Sequence, residues 1–226
     1  LDRRTLLGGG VAVVAAGGVG YWALNRESAA PVTQINAATT EGDTEAAEAV
    51  DTSSIQEMVL GDPDAPVTFM EYASFTCPHC ANFHNGPFQK LKSEYIDTGK
   101  VKMVYRDVFF DRFGLWASMI ARCDPNRFFG ISSMLYEQQK EWLAGNEPAA
   151  IADNLRKIGK VAGLSDEQIE TCLADEEKAT TLVSWFEQNA AADEVTSTPT
   201  LFIDGVKHSN MNWDDLKKLI DEALAG

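Results

Sequence analysis

"YASFTCPHCANFH", residues 72–84, holds two of the chain's four cysteines and two of its three histidines. The stretch decides the fold because of what flanks it. Before it runs "APVTFMEY", residues 65–72, an apolar segment of β-formers that follows Gly61-Asp62-Pro63. It reads as a strand buried on both faces. After it, Cys80, His84, Phe88, Leu91 and Tyr95 recur at spacings of three and four, the signature of one helix face. The helix therefore starts near Cys77. Pro87 cannot donate to the carbonyl four residues back, which predicts a kink at Gly86-Pro87. Gly99 stands where a helix C-terminal cap belongs.

Working outward, "VKMVYRDV", residues 101–108, reads as a second strand. About 80 helical residues follow. Trp116, Ile120 and Cys123 share one face; Ile151, Leu155, Ile158 and Ala162 share another. "SDEQ" forms a capping box between Ser165 and Gln168, opening a helix with Ile169, Cys172 and Leu173 inward. Ala179, Leu182, Val183 and Phe186 mark one more helix. "TLFIDGVKH", residues 200–208, reads as a hairpin turning at Asp204-Gly205. A last helix starts near Asn212, with Leu216, Leu219, Ile220 and Ala223 inward. The order is βαβ, a helical block over about 112–192, then ββα. That is an α/β sheet with an appended helical subdomain.

The N-terminal part differs in composition. Arg3 and Arg4 precede Thr5–Leu24, twenty residues without a charge. Residues 1–26 read as an export signal or as an uncleaved membrane anchor; a buried core helix is the bland alternative. Residues 27–54 carry six acids and no base, the composition of an acidic disordered linker. Residues 55–226 are the size of one domain. Without residues 1–26, which hold three bases and one acid, 16 basic and 33 acidic residues remain, a balance of −17. Such a charge disfavours nucleic acid as a partner.

C-x-x-C at a helix start has a redox logic. Cys77 sits where unpaired N–H groups and the helix dipole favour a thiolate; such cysteines have pKa values of about 3.5–7.5. His79, between the sulfurs, supports that anion through its ring or its N–H. Cys80, one turn in, is the more buried and less reactive partner. Counting Cys77, Cys80, His79 and His84 as zinc or copper ligands is the competing reading, but structural zinc sites pair a C-x-x-C with a distant second ligand pair. A purely structural bridge across two residues constrains almost no chain. His84 reads as a packed or hydrogen-bonded core histidine. Glu71 is a charge in an apolar strand, either a buried acid able to relay a proton for Cys80 or a strand-end acid paired with a nearby base.

"GDPDAPVTFMEYASFTCPHCANFH" resembles the opening of the DsbA family of periplasmic thiol:disulfide oxidoreductases, and "TSTPTLFIDG", residues 196–205, extends the resemblance over 58–226. The resemblance implies a thioredoxin-like fold with the helical subdomain between the second and third core strands. It makes Cys77 the nucleophile, Cys80 its resolving partner and Pro78-His79 an oxidase-type dipeptide. Thr198-Pro199 becomes the substrate-binding cis-proline loop, and Glu71 the buried acid beneath the disulfide. The family's founding member is itself the reference case of a strongly oxidising, low-pKa C-x-x-C, so the direction of electron flow comes from the resemblance. Two positions depart from that member. Tyr105 stands where its buried acid has a lysine partner, and Thr198 replaces the valine before its proline. A threonine there also occurs in isomerase and reductase relatives.

Cys123 and Cys172 read either as unpaired buried thiols or, in an oxidising compartment, as a structural disulfide; some relatives carry a second bridge in the helical subdomain. The resemblance implies a periplasmic monomer that acts on reduced or unfolded exported proteins; residues 5–24, if uncleaved, tether it to the inner membrane. It implies reoxidation by a quinone-linked membrane partner and no metal or organic cofactor. An isomerase or reductase on the same fold, and a non-catalytic membrane-tethered metal-binding protein, are the alternatives.

Overall fold

The computed structural model describes residues 50–145 and 147–226. The segment 1–26 and nearly all of the acidic stretch lie outside the described residues. Among the described residues no helix is long and apolar enough to cross a membrane.

Five strands form one sheet: β1 (Met58–Leu60), β2 (Val67–Ala73), β3 (Val101–Asp107), β4 (Thr200–Ile203) and β5 (Val206–Ser209), in the order β1-β3-β2-β4-β5. Only β2 and β3 pair in parallel. Between them run α1 (Pro78–His84), α2 (Pro87–Leu91) and a π-helical turn over Lys92–Ile96. The helical insertion contains α3 (Arg112–Ala121), α4 (Phe128–Glu137), α5 (Gln139–Trp142), α6 (Pro148–Val161), α7 (Asp166–Leu173) and α8 (Glu176–Ala192). The chain closes with α9 (Trp213–Ala225). The sheet and insertion therefore have the thioredoxin-like arrangement, with the helical block between β3 and β4.

Alternation along β2 explains its central place. Phe69, Glu71 and Ala73 face one side, and Met70 and Tyr72 the other. Phe69 joins the main core with Phe83, Met103, Tyr105, Leu201, Leu216 and Ile220. Tyr72 packs with Val108 and Phe202 beneath Phe186 and Ala190 of α8. Helix α9 lies over β2, β4 and α2, while α4 meets α1 and α3.

Several details differ from the sequence-based expectation. The helix after the C-x-x-C breaks rather than kinks. Asn85 ends α1, Gly86 takes φ −132° and ψ −95°, and Pro87 starts α2, where its missing donor costs nothing. Strand β1 carries no signal that three residues can show. Helices α4 and α5 add a further pair to the insertion. Cys123 lies just beyond α3, not on its face. Gly99 adopts φ +73°, a conformation glycine reaches without steric cost, and so ends the helical segment before β3. Ser165 and Gln168 form the capping box on α7 in both directions.

Candidate active site

The turn Ser74–Thr76 carries the chain from β2 into α1. Cys77 is the N-cap of α1, extended at φ −80° and ψ 119°. Its Sγ accepts a hydrogen bond from the Cys80 N–H at 3.4 Å, so the sulfur fills the role usually played by a serine or aspartate oxygen. Pro78 occupies the first helical position, where a donor is dispensable. Thr76 Oγ1 donates to Asp111 Oδ2 at 2.9 Å, and Asp111 Oδ1 caps α3 through the N–H groups of Phe113 and Gly114. The loop bearing Cys77 and the first helix of the insertion thus share one carboxylate.

Thr198 reaches Cys77 from the far end of the chain. The Thr198–Pro199 peptide bond is cis, and the Cys77 thiol donates to the Thr198 carbonyl at 3.6 Å. This loop covers the sulfur. Cys77 is 6 % exposed and Cys80 0 %, so the expected contrast between an open and a closed cysteine is small in area. The contrast is electrostatic. Hydrogen bonding from the Cys80 thiol, and then from Thr198 and the backbone N–H groups of Cys80 and His79, brings Cys77 down to about 5 against the upward push of burial. Burial first, then the hydrogen bond to Cys77 and the negative charge of Glu71, hold Cys80 far above the ordinary thiol range. Two like groups with pKa values pushed apart are the mark of divided acid–base roles. Both are free thiols.

His79 and Pro78 are exposed; His79 acts on Cys77 through its backbone N–H rather than its ring. His84 is turned the other way. Its Nε2 lies 2.8 Å from Glu71 Oε2, and the histidine is buried with its ring stacked on Tyr136 at 4.0 Å. Glu71 is wholly buried, and its Oε1 has no hydrogen-bond partner among the described residues. Tyr105 stands opposite Glu71 in the β2–β3 register. Its hydroxyl meets that of Tyr136 at 2.6 Å and donates to the Ala73 carbonyl at 3.4 Å. Burial above all keeps both phenols well above their ordinary pKa, so they stay neutral. Where a lysine would have paired with the acid on the neighbouring strand, this chain supplies a histidine from α1. His84 is thus the packed and hydrogen-bonded core histidine that the sequence suggests, and its partner Glu71 gives it a place in the site that its sequence position does not convey.

Gln139 is the other residue that sequence patterns missed. Buried in α5, its Nε2 donates to the Phe75 carbonyl at 2.7 Å and the Cys77 carbonyl at 2.9 Å. Cys123 and Cys172 lie elsewhere, joined by a disulfide that ties the end of α3 to α7. Among the described residues no three His, Cys, Asp or Glu side chains are grouped as metal ligands.

Comparison with known proteins agrees with this geometry. A family model described as thioredoxin matches residues 53–222. The chain is 35% identical over 170 residues to a putative protein-disulfide oxidoreductase of Rickettsia prowazekii, a match covering 74% of this chain and 61% of the relative. It thus spans about three fifths of that relative's length. It is 28% identical over 181 residues to disulfide bond formation protein D of Bacillus subtilis, covering 74% and 77%. The crystal structure of Wolbachia pipientis alpha-DsbA1 superposes with a TM-score of 0.70 at 28% identity, over 75% of this chain and 91% of that one. The matched residues of this chain run through the cysteine pair at the β2–α1 junction, the helical insertion and the Thr198-Pro199 loop, and the overall fold superposes on that of alpha-DsbA1: the chain belongs to the thioredoxin-like DsbA family of thiol:disulfide oxidoreductases.

Proposed function

We propose that the protein is a periplasmic dithiol oxidase that introduces disulfides into reduced exported polypeptides. A substrate thiolate attacks Cys77 Sγ of the Cys77–Cys80 disulfide. The S–S bond breaks, Cys80 leaves and takes up a proton, and a mixed disulfide forms on Cys77. A second substrate thiolate attacks the substrate sulfur of that bond, and Cys77 departs as a thiolate. The substrate loses two electrons and the pair gains them. Reoxidation then falls to a quinone-linked membrane partner, by analogy with the family. The Thr198-Pro199 loop holds extended substrate backbone beside Cys77, and Glu71, paired with His84, relays the Cys80 proton. Residues 5–24 serve as export signal or tether, and the protein works as a monomer.

The observation that carries this reading is the asymmetry of the pair. Cys77 is capped by N–H donors, whereas Cys80 is buried above an acid. A stabilised Cys77 thiolate is a good leaving group and favours the reduced pair, which makes the disulfide an oxidant. Replacing Cys77 by Ala abolishes oxidation of a reduced test protein; full retention of the rate in Cys77→Ala overturns the proposal. Thr198 supports a second reading, an isomerase or reductase, because its hydroxyl stands where the oxidase prototype has an apolar side chain. The potential of the pair separates the two.

A further inference from the structure

We propose that Gln139 is a positioning residue of the redox centre: its side-chain amide, presented by the helical insertion, fixes the Phe75–Cys77 backbone so that the Cys77 sulfur stays within reach of the Cys80 N–H. This rests on the redox role assigned to Cys77 above.

The geometry is specific. Gln139 is 5 % exposed, and its Nε2 spans two carbonyls of the turn between β2 and α1. An amide nitrogen carries two donors, and both are used. The Cys77 carbonyl also accepts the Ala81 N–H at 3.1 Å. With Gln139 in place its acceptor capacity is full. The sulfur then receives the Cys80 N–H.

The donor is itself held firmly. Trp142, three residues on, is 2 % exposed and donates through Nε1 to the Leu135 carbonyl at 2.8 Å. Asn154 of α6 donates to the Trp142 carbonyl at 3.4 Å. The same stretch grips the other end of α1, where Asn85 Nδ2 donates to the Tyr136 carbonyl at 3.1 Å. The insertion is therefore a jig for α1 as well as a cover over the core.

Without the amide, the Phe75 and Cys77 carbonyls each lose a donor, and the Cys77 carbonyl keeps the Ala81 N–H. A buried unpaired acceptor is costly, and the turn relieves that cost by rotating. Rotation carries carbonyl oxygens towards the sulfur and N–H groups away from it. Both changes disfavour the thiolate, since hydrogen bonds to a charged form stabilise it.

The test is the ionisation midpoint of Cys77 in the reduced full-length protein, read from thiolate absorbance near 240 nm. Gln139→Met keeps the length and volume of the side chain and removes both donors. The midpoint is expected to rise by about one pH unit. Trp142→Phe, which loosens the anchor of the same element but leaves both Gln139 donors, is expected to raise it by less. If Gln139→Met does not fold, Gln139→Asn, which withdraws the amide by one methylene, is read instead with the same rise expected. A wild-type midpoint near 5 that does not move in the Gln139 variant overturns the proposal, and so does an equal rise in Trp142→Phe. A wild-type midpoint in the ordinary thiol range overturns both this inference and the oxidase reading.

Discussion

Glu71 Oε2 and His84 Nε2 lie 2.8 Å apart, joining the central strand to the helix that carries Cys80. Both residues are buried, and Glu71 Oε1 has no hydrogen-bond partner among the described residues. Among those residues the pair is the carboxylate's one polar tie. Breaking one side of such a pair strands the other, whereas replacing both sides removes the desolvation cost as well. His84→Ala is expected to lower stability by about 3 kcal/mol. The double change Glu71→Leu with His84→Leu should cost less than the single one. Urea denaturation of the wild type and the two variants checks the order; a double variant less stable than His84→Ala refutes the pairing.

Glu71 also reaches Cys80 through its charge, which helps hold that thiol protonated. If the carboxyl supplies the proton as Cys80 leaves, Glu71→Gln slows reduction of the Cys77–Cys80 disulfide by dithiothreitol by about 10²-fold, the scale of positioned proton transfer. An unchanged rate across neutral pH removes Glu71 from the relay.

The ionisation of Cys77 makes stability depend on pH with a definite sign. Its folded value of about 5 lies below the ordinary thiol value of about 8.5. The folded reduced protein therefore releases a proton that the unfolded chain still holds. The resulting stabilisation is complete above about pH 8.5 and is lost as pH falls through about 5. The Cys80 shift has the opposite sign, with stabilisation present below about pH 8.5 and lost only as pH rises through its high folded value. Between the two limits the reduced form should gain on the oxidised form as pH rises. Paired denaturation curves of both redox states at acid, neutral and mildly alkaline pH test this, and a gap that narrows with rising pH contradicts it.

The Cys123–Cys172 bridge closes a segment with a sequence separation of 49. Loop-closure entropy for that length corresponds to about 4 kcal/mol. The double variant Cys123→Ser with Cys172→Ser should lose stability on that scale while keeping a reactive Cys77. Alkylation after mild reduction should label two cysteines in the native protein, and four only once the protein is denatured and reduced by excess dithiothreitol; four labelled in the native state would argue against a protected bridge.

Most of the framework was legible in the chain because its signals are local. A β-rich run, a C-x-x-C and a 3–4 apolar spacing together locate β2 and α1. Gly99, the Ser165–Gln168 box and Asp204-Gly205 mark boundaries by their own chemistry. Helices α4 and α5 were less visible because their buried face includes two polar residues. Phe128, Ile131, Ser132, Leu135, Tyr136, Gln139 and Trp142 keep helical spacing and are all buried, yet Ser132 and Gln139 interrupt the apolar stripe. Those interruptions are themselves informative. Ser132 Oγ bonds back to the Phe128 carbonyl, and Gln139 serves the turn before α1. The Glu71–His84 contact was hidden for a different reason. It depends on which face of α1 meets β2, a tertiary fact that neither residue's neighbours in sequence encode. Tyr105, by contrast, was placed opposite Glu71 by resemblance, and the β2–β3 register agrees.

The equilibrium redox potential of the Cys77–Cys80 pair, measured against glutathione, tests the oxidase account most directly. A stabilised Cys77 thiolate favours the reduced pair and predicts a potential between about −120 and −180 mV, the range of oxidising thioredoxin-fold proteins. A value near −270 mV, where thioredoxin itself lies, would show that the pair donates electrons, and would contradict the account.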